Sequence, residues 1–471
     1  MYADSNQRQR SIDCQADITT TAEGQYATSR ELAQPRFETE AMLRRGKAGG
    51  PGYVAALRQP GTWVDWTILP LINVVNDARE TGDLSFAAGT AGLWEHLRDN
   101  HTFLFAIDEH SGLLNDTNLT ALIDTSGGTQ DGFKPSPVNA VANAWCYYAL
   151  TSLAQLGRWL HRPAGDVAAL DAAAAKLKAS FNALLIDSST GGTGGVCDGV
   201  CSDKAIAGHQ SVHSSFYALA FGLVADANVP RAWDIVRARG SIAGAYPAQF
   251  QLLALYANTA DHGAAALARM TTPIAHGWVS MMDTHNATCT MECWSPEELP
   301  NLSFAHPWSS SPAFVVPTML FGLRATAPGW AEFDVKPAPG GLGHGQIAKP
   351  TVRGVVEASF KSDRDGTGGV SRVGGSVGGG NGGGDGGSDA SGSTIRFELN
   401  VTVPGNSWAT VYVPVTMPPA GSAETNMVLT VDGGLSRHVA SAEIVEGRGY
   451  ARAGRLGAGA HSIVVMSKVT M

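Results

Sequence analysis

The sequence predicts a mainly helical protein that ends in a β module. Three observations carry this. Apolar residues recur at helical spacing, with loops between, from the N-terminus to about residue 325. After Pro328-Gly-Trp330 the pattern changes to short, β-branched, alternating runs. Just before that change, an aromatic- and thiol-bearing segment, 281–294, carries one glutamate, Glu292, and a His-Pro-Trp turn follows within 303–312.

The helices follow in order. Segments 67–79 and 90–100 read as the first two. Segment 137–160 places Val138, Val141, Trp145, Ala149, Leu153 and Leu156 along one stripe, the 3.6-residue period of a buried helix. Ser136 is its expected N-cap and Pro137 its first residue. Further helices are expected at 166–185, 213–224, 231–239, 248–257, 263–270 and 313–323. Glycine- and proline-bearing loops between them predict paired antiparallel helices.

Segments 331–337, 351–360, 394–403, 408–415, 427–431 and 461–466 read as strands of an antiparallel module, a sandwich. Gly368–Ser393 is almost wholly Gly, Ser and Asp. It has too little apolar surface to offset ordering entropy and is expected to be a disordered loop. A chain of 471 residues exceeds one ordinary core, so two units are expected: 1–327 and 328–471, the second interrupted at 368–393.

Composition excludes several functions. Hydrophobic residues at 44% and a mean hydropathy near zero describe a soluble globular chain. A net charge of −9 without a basic stripe argues against nucleic acid. No apolar run is long enough to span a bilayer, and residues 1–10 have no signal-peptide core. Cys197/Cys201 and Cys289/Cys293 share a C-x-x-x-C spacing that is wrong for a zinc knuckle. It suits a loop disulfide or two thiols on one helix face. No cofactor or metal is expected.

The chemistry centres on Glu292, which stands two residues before Trp294 and shortly before His306 and Trp308. Aromatic faces stack on pyranose rings, and a partly desolvated carboxylate is suited to proton transfer. The competing reading makes Glu292 a helix cap and the tryptophans core. Trp63 and Trp66 flank Asp65, as a sugar platform or as packing. Asp124 and Asp131 lie at loop starts, where substrate contacts or simple caps both occur. Arg8 suits a carboxylate pair or a sugar hydroxyl equally. His101, His209 and His213 read as loop or core histidines.

Several segments together resemble the α-L-rhamnosidases, six-hairpin glycosidases of glycoside hydrolase family 78. Asp4-Ser-Asn-Gln-Arg-Gln-Arg10 resembles the family's opening motif. Residues 105–114, 122–124 and 131–144 resemble its middle, and 209–224 the helix after its mid-barrel loop. Residues 287–294 resemble the segment that carries the catalytic base, and 303–312, 321–324, 328–330 and 335–337 its exit into the C-terminal module.

The resemblance implies an (α/α)6 toroid barrel followed by a β-sandwich, and hydrolysis of terminal α-L-rhamnosides with inversion. It makes Glu292 the base and His306 a rhamnose contact, with Trp294 and Trp308 flanking the pocket. Asp4, Arg8, Trp66 and Asp124 join them as expected substrate contacts. The family's acid is a Glu directly after the motif's arginine, and here Arg8 is followed by Gln9. Asp17, near the family's second motif Asp, is the favoured acid, with Asp13 next. The expected partner is a carbohydrate or a rhamnosylated small molecule. The alternatives are another six-hairpin glycosidase, or a non-catalytic sugar-binding relative that has lost its acid. Family members carry β-domains ahead of the opening motif. A secretion signal would belong to such a region, so the compartment stays open between secreted and cytoplasmic.

Overall fold

The computed structural model describes residues 15–47, 62–124, 127–188, 194–259, 262–299, 301–363, 393–415, 426–439, 444–445 and 449–469. A helical region comes first and two β-sheets follow. Among the described residues the helices are α1 (Gln15–Thr28), α2 (Ala33–Lys47), α3 (Val64–Thr81), α4 (Ser85–Gly89), α5 (Leu93–His101), α6 (Ala140–Trp159) and α7 (Ala164–Leu184). They continue with α8 (Val212–Ala220), α9 (Val229–Arg239), α10 (Ala248–Leu255), α11 (Ala264–Thr271), α12 (Trp278–Asp283) and α13 (Pro312–Val315). One two-stranded parallel pair, β1 (Thr62–Trp63) with β2 (Leu119–Thr120), ties the start of α3 to a later loop.

The central helix α6 shows how local chemistry sets these elements. Val141, Trp145, Ala149, Leu153 and Leu156 are all buried, as the stripe requires. The helix starts three residues later than Pro137, because Asn139 is the N-cap and accepts a hydrogen bond from the Ala142 amide at 3.0 Å. α3 and α8 both pack against α6. The helices share one hydrophobic core around Trp145, Phe216, Tyr217, Tyr246 and Phe250.

The expected helix over 313–323 breaks. Pro317 offers no amide to the helical ladder, and Val316–Leu320 widens into a π turn. Gly322 then turns the chain at φ 68°, where a Cβ would lie 2.0 Å from the Lys336 carbonyl oxygen. Only glycine fits there. β3 (Leu323–Ala325) follows at once.

The strands continue as β4 (Glu332–Val335), β5 (His344–Thr351), β6 (Gly354–Asp363), β7 (Ser393–Val403), β8 (Trp408–Pro414), β9 (Asn426–Val431), β10 (Arg437–His438), β11 (Ile444–Val445), β12 (Tyr450–Leu456) and β13 (Gly459–Val469). One sheet runs β10-β9-β13-β7-β6-β5, antiparallel throughout. The other runs β11-β12-β8-β4-β3, and its β4–β8 pair is parallel, a departure from the all-antiparallel expectation. The long excursion through β5–β7 permits that pairing. Alternate residues of β7 and β8, such as Leu399, Val401, Val411 and Val413, are buried in a core to which both sheets contribute. The glycine-rich segment lies outside the described residues apart from Ser393, which opens β7. No helix among the described residues is long and apolar enough to cross a membrane.

Candidate functional site

Two irregular segments after α12 are laced together. The Glu292 amide donates to the Ser303 carbonyl at 2.9 Å, and the Ser303 amide donates to Glu292 Oε2 at 3.0 Å. The His306 amide donates to the Thr290 carbonyl at 2.8 Å, and Thr290 Oγ1 returns a bond to the His306 carbonyl at 2.9 Å. Trp308 Nε1 donates to the Glu292 carbonyl at 2.9 Å. Glu292 therefore lies in a bend of irregular backbone and does not cap a helix. This lacing sets His306 Nδ1 3.9 Å from Glu292 Oε2.

α1 brings the second carboxylate. Asp17, in its first turn, presents Oδ1 at 3.0 Å from His306 Nε2. The ring N–H is not aligned with that oxygen, so the approach is an ion-pair contact rather than a formed hydrogen bond. One imidazole thus stands between two carboxylates. Asp17, Glu292 and His306 are 1%, 4% and 3% exposed, so the cluster is closed to solvent. Trp308 packs its ring against His306 with centroids 4.5 Å apart and against Tyr246 at 5.4 Å.

Beside this cluster lies a group that residue types alone did not single out. Asp65, in the first turn of α3, is wholly buried. Its Oδ1 accepts from the Leu122 amide at 3.1 Å. Its Oδ2, the Tyr217 hydroxyl and the Tyr246 hydroxyl are buried with no hydrogen-bond partner among the described residues. Burial pushes the Asp65 carboxyl up to about 7. Burial also raises both tyrosine hydroxyls, reinforced at Tyr246 by Asp65 and Asp17, and at Tyr217 by Tyr246, Asp65 and Asp124. Glu298 is a further carboxyl raised by burial, with His276 Nε2 3.7 Å away.

The other expected residues divide. Asp124 Oδ2 lies 3.1 Å from His213 Nε2 and accepts from the Gly244 amide at 2.7 Å, joining two loops to the first turn of α8. A Cβ on residue 244 would meet Asp124 Oδ1 at 2.2 Å, which explains the glycine. Asp131 holds the first amide of α8 at 2.8 Å and Arg239 at 2.7 Å. Trp66 is buried and meets Trp63 edge-on. Trp294 is fully buried; its indole donates to the Ala243 carbonyl, and its ring is flanked by Trp278 and the Arg269 guanidinium. It is packed in the helical core and, contrary to the sequence expectation, presents no face to a sugar. Asp4, Arg8, Gln9 and Asp13 lie outside the described residues. Of the paired cysteines, Cys197 and Cys201 form a disulfide, whereas Cys289 and Cys293 are not disulfide-bonded. No group of three metal-ligating side chains occurs among the described residues.

A carboxylate pair around a buried histidine beside an aromatic wall is chemistry suited to sugars. The family description that fits this chain is the bacterial alpha-L-rhamnosidase 6 hairpin glycosidase domain, over residues 58–318. The chain belongs to this family. Similar solved structures include the Streptomyces avermitilis alpha-L-rhamnosidase complexed with L-rhamnose, with 16% identity over 95% of this chain and 38% of that one, at a TM-score of 0.61. The alpha-L-rhamnosidase of Dictyoglumus thermophilum gives 15%, 96%, 45% and 0.65 in the same order. The native enzyme of Aspergillus terreus gives 15%, 83%, 38% and 0.52. At these identities the likeness is one of fold. The chain spans less than half the length of each of these three proteins. Comparison with curated proteins finds no match.

Proposed function

We propose that this chain hydrolyses terminal α-L-rhamnosides with inversion, its helices read as an (α/α)6 toroid and its two sheets as a sandwich. The observation that carries the reading is the pair of buried carboxylates, Asp17 and Glu292, on opposite edges of the His306 ring. Those contacts, with the His306 ring between, hold the two oxygens at most about 9 Å apart, an upper bound compatible with the roughly 6.5–9.5 Å separation of inverting carboxyl pairs. In this reading Glu292 takes the proton from that water. His306 holds both carboxylates in register and meets a sugar hydroxyl, and Trp308 supplies the apolar wall. Glu292→Gln keeps the shape and removes the base. It should lower turnover on an aryl α-L-rhamnoside by about 10²–10⁴-fold with an unchanged circular dichroism spectrum. Near-native turnover would remove Glu292 from the role.

The acid has two readings. Asp17 is nearest the base through His306. Asp65 is favoured by a different observation: its carboxyl titrates at about 7 and so retains a proton near neutrality. Acid assistance matters most for poor leaving groups. Replacing the true donor by Asn should depress hydrolysis of an alkyl rhamnoside far more than that of a nitrophenyl one. Asp17→Asn and Asp65→Asn measured on both substrates assign the role. An equal fall on both substrates marks a positioning residue. If neither variant separates the two substrates, both assignments fail and the non-catalytic sugar-binding reading gains. A panel of aryl glycosides distinguishes rhamnose from other six-hairpin substrates.

A further inference from the structure

A cavity of about 200 Å3 lies among α1, α3, α6, α8 and α10, and a second of about 400 Å3 adjoins it where the helical region meets the strands. Ala220, Leu253, Met319 and Arg324 line both. Neither Glu292, His306 nor Asp17 lines either one. Arg324 leaves the middle of β3 with an exposed side chain and makes no hydrogen bond or ion pair with any described residue. Arg79, close by, is already matched: its guanidinium meets Glu23 at 3.4 Å and Glu80 at 3.1 Å.

A guanidinium without an ion-pair partner, in the field of the Arg79 charge, is stabilised by an anion that reaches it. The first cavity also offers an aromatic edge, the Tyr148 and Phe221 rings stacked on each other with centroids 4.4 Å apart and planes 4° apart. Glu23 lines the same space and disfavours a doubly charged guest.

We propose that this cavity binds a small monocarboxylate with a planar apolar body, its carboxylate forked on Arg324 and its ring against Tyr148 and Phe221. Arginine's planar donor fork matches a carboxylate two bonds at a time. Calorimetric titration of the whole chain with benzoate, benzamide and inorganic phosphate tests this. Benzoate should bind saturably, benzamide should not, and phosphate should bind more weakly. Arg324→Gln should weaken benzoate by at least about tenfold, the loss of one charged hydrogen-bonded pair. Ala220→Leu narrows both cavities while leaving Arg324 in place, and should weaken benzoate similarly. It decides the matter if the first variant does not fold. No saturation by roughly 10 mM benzoate overturns the proposal, since such weakness lies below any specific pairing. So does benzamide binding as well as benzoate, or phosphate binding more tightly through Arg324. Rhamnoside hydrolysis is no part of the readout, so this proposal and the one above fail independently.

Discussion

Asp65 shows how a buried group couples stability to chemistry. Its carboxyl titrates at about 7 in the fold against 3.8 in the free chain, so the folded state holds the proton more tightly. The stabilisation this gives is fully present below pH 3.8 and is lost as pH rises through about 7, by about 4 kcal/mol in total. Asparagine keeps the bond to the Leu122 amide but carries no charge. Asp65→Asn should therefore be more stable than the parent at pH 8 by up to that amount, and nearly equal to it at pH 4. Urea unfolding at the two pH values measures this, and a difference that does not change with pH would show that the carboxyl has the same pKa in the fold as in the free chain. Glu292 and His306 were legible in the sequence because fourteen residues of local backbone bonding bring them together. Asp65 was not. Its neighbours Tyr217 and Tyr246 come from elements far along the chain, and an aspartate between two tryptophans gives no sign that it will be wholly buried.

Elements were legible where burial has a period. α6 follows its stripe, and β7 and β8 follow their alternation. α1 was missed because threonines and Gly24 lower its propensity, and tertiary packing against α3 and α13 overrides this. β5 contains Pro350 and Lys349, and β12 contains Gly454 at a register shift, so neither reads as a strand; β5, carrying the proline, lies on an edge of its sheet. The segment before α8 is held by different means. The Cys197–Cys201 disulfide encloses Asp198, which is wholly buried. Asp198 accepts from the Lys134 and Ser211 amides at 2.8 Å each and from Ser214 Oγ at 2.7 Å, and lies 2.6 Å from His209 Nδ1. One residue thus fixes both helix starts, its carboxylate holding α8 and its backbone carbonyl accepting from the Ala140 amide of α6 at 2.9 Å. Cys201→Ser opens a ring of few residues and should reduce stability by about 2 kcal/mol. Denaturant titration of the variant against the oxidised parent checks the figure. No difference would mean that Asp198 alone holds the segment.

At the scale of the whole molecule, the question is what joins the helices to the sheets. A buried charge cluster does so. Lys349 of β5 is 2% exposed, and its Nζ donates to the Tyr26 carbonyl of α1 at 2.7 Å. The same nitrogen lies 3.6 Å from Glu80 of α3 and 4.7 Å from the Trp330 ring centroid. Trp330 Nε1 donates to Glu80 Oε2 at 2.9 Å. Burial alone would raise the Glu80 carboxyl, but Lys349 and Arg79 overcome it and hold its pKa below the ordinary value. Burial in turn lowers the Lys349 pKa. Such a pair adds little over a well-packed apolar substitute, yet removing one partner strands the other. Lys349→Met removes the ammonium, leaving Glu80 with less compensation and the Tyr26 carbonyl without its donor. The expected loss is about 3–5 kcal/mol. Because the lysine reaches across from sheet to helices, amide exchange should accelerate in α1 and β5 together. Faster exchange confined to β5 would show that the cluster serves only its own strand, and that apolar contact alone joins the two parts.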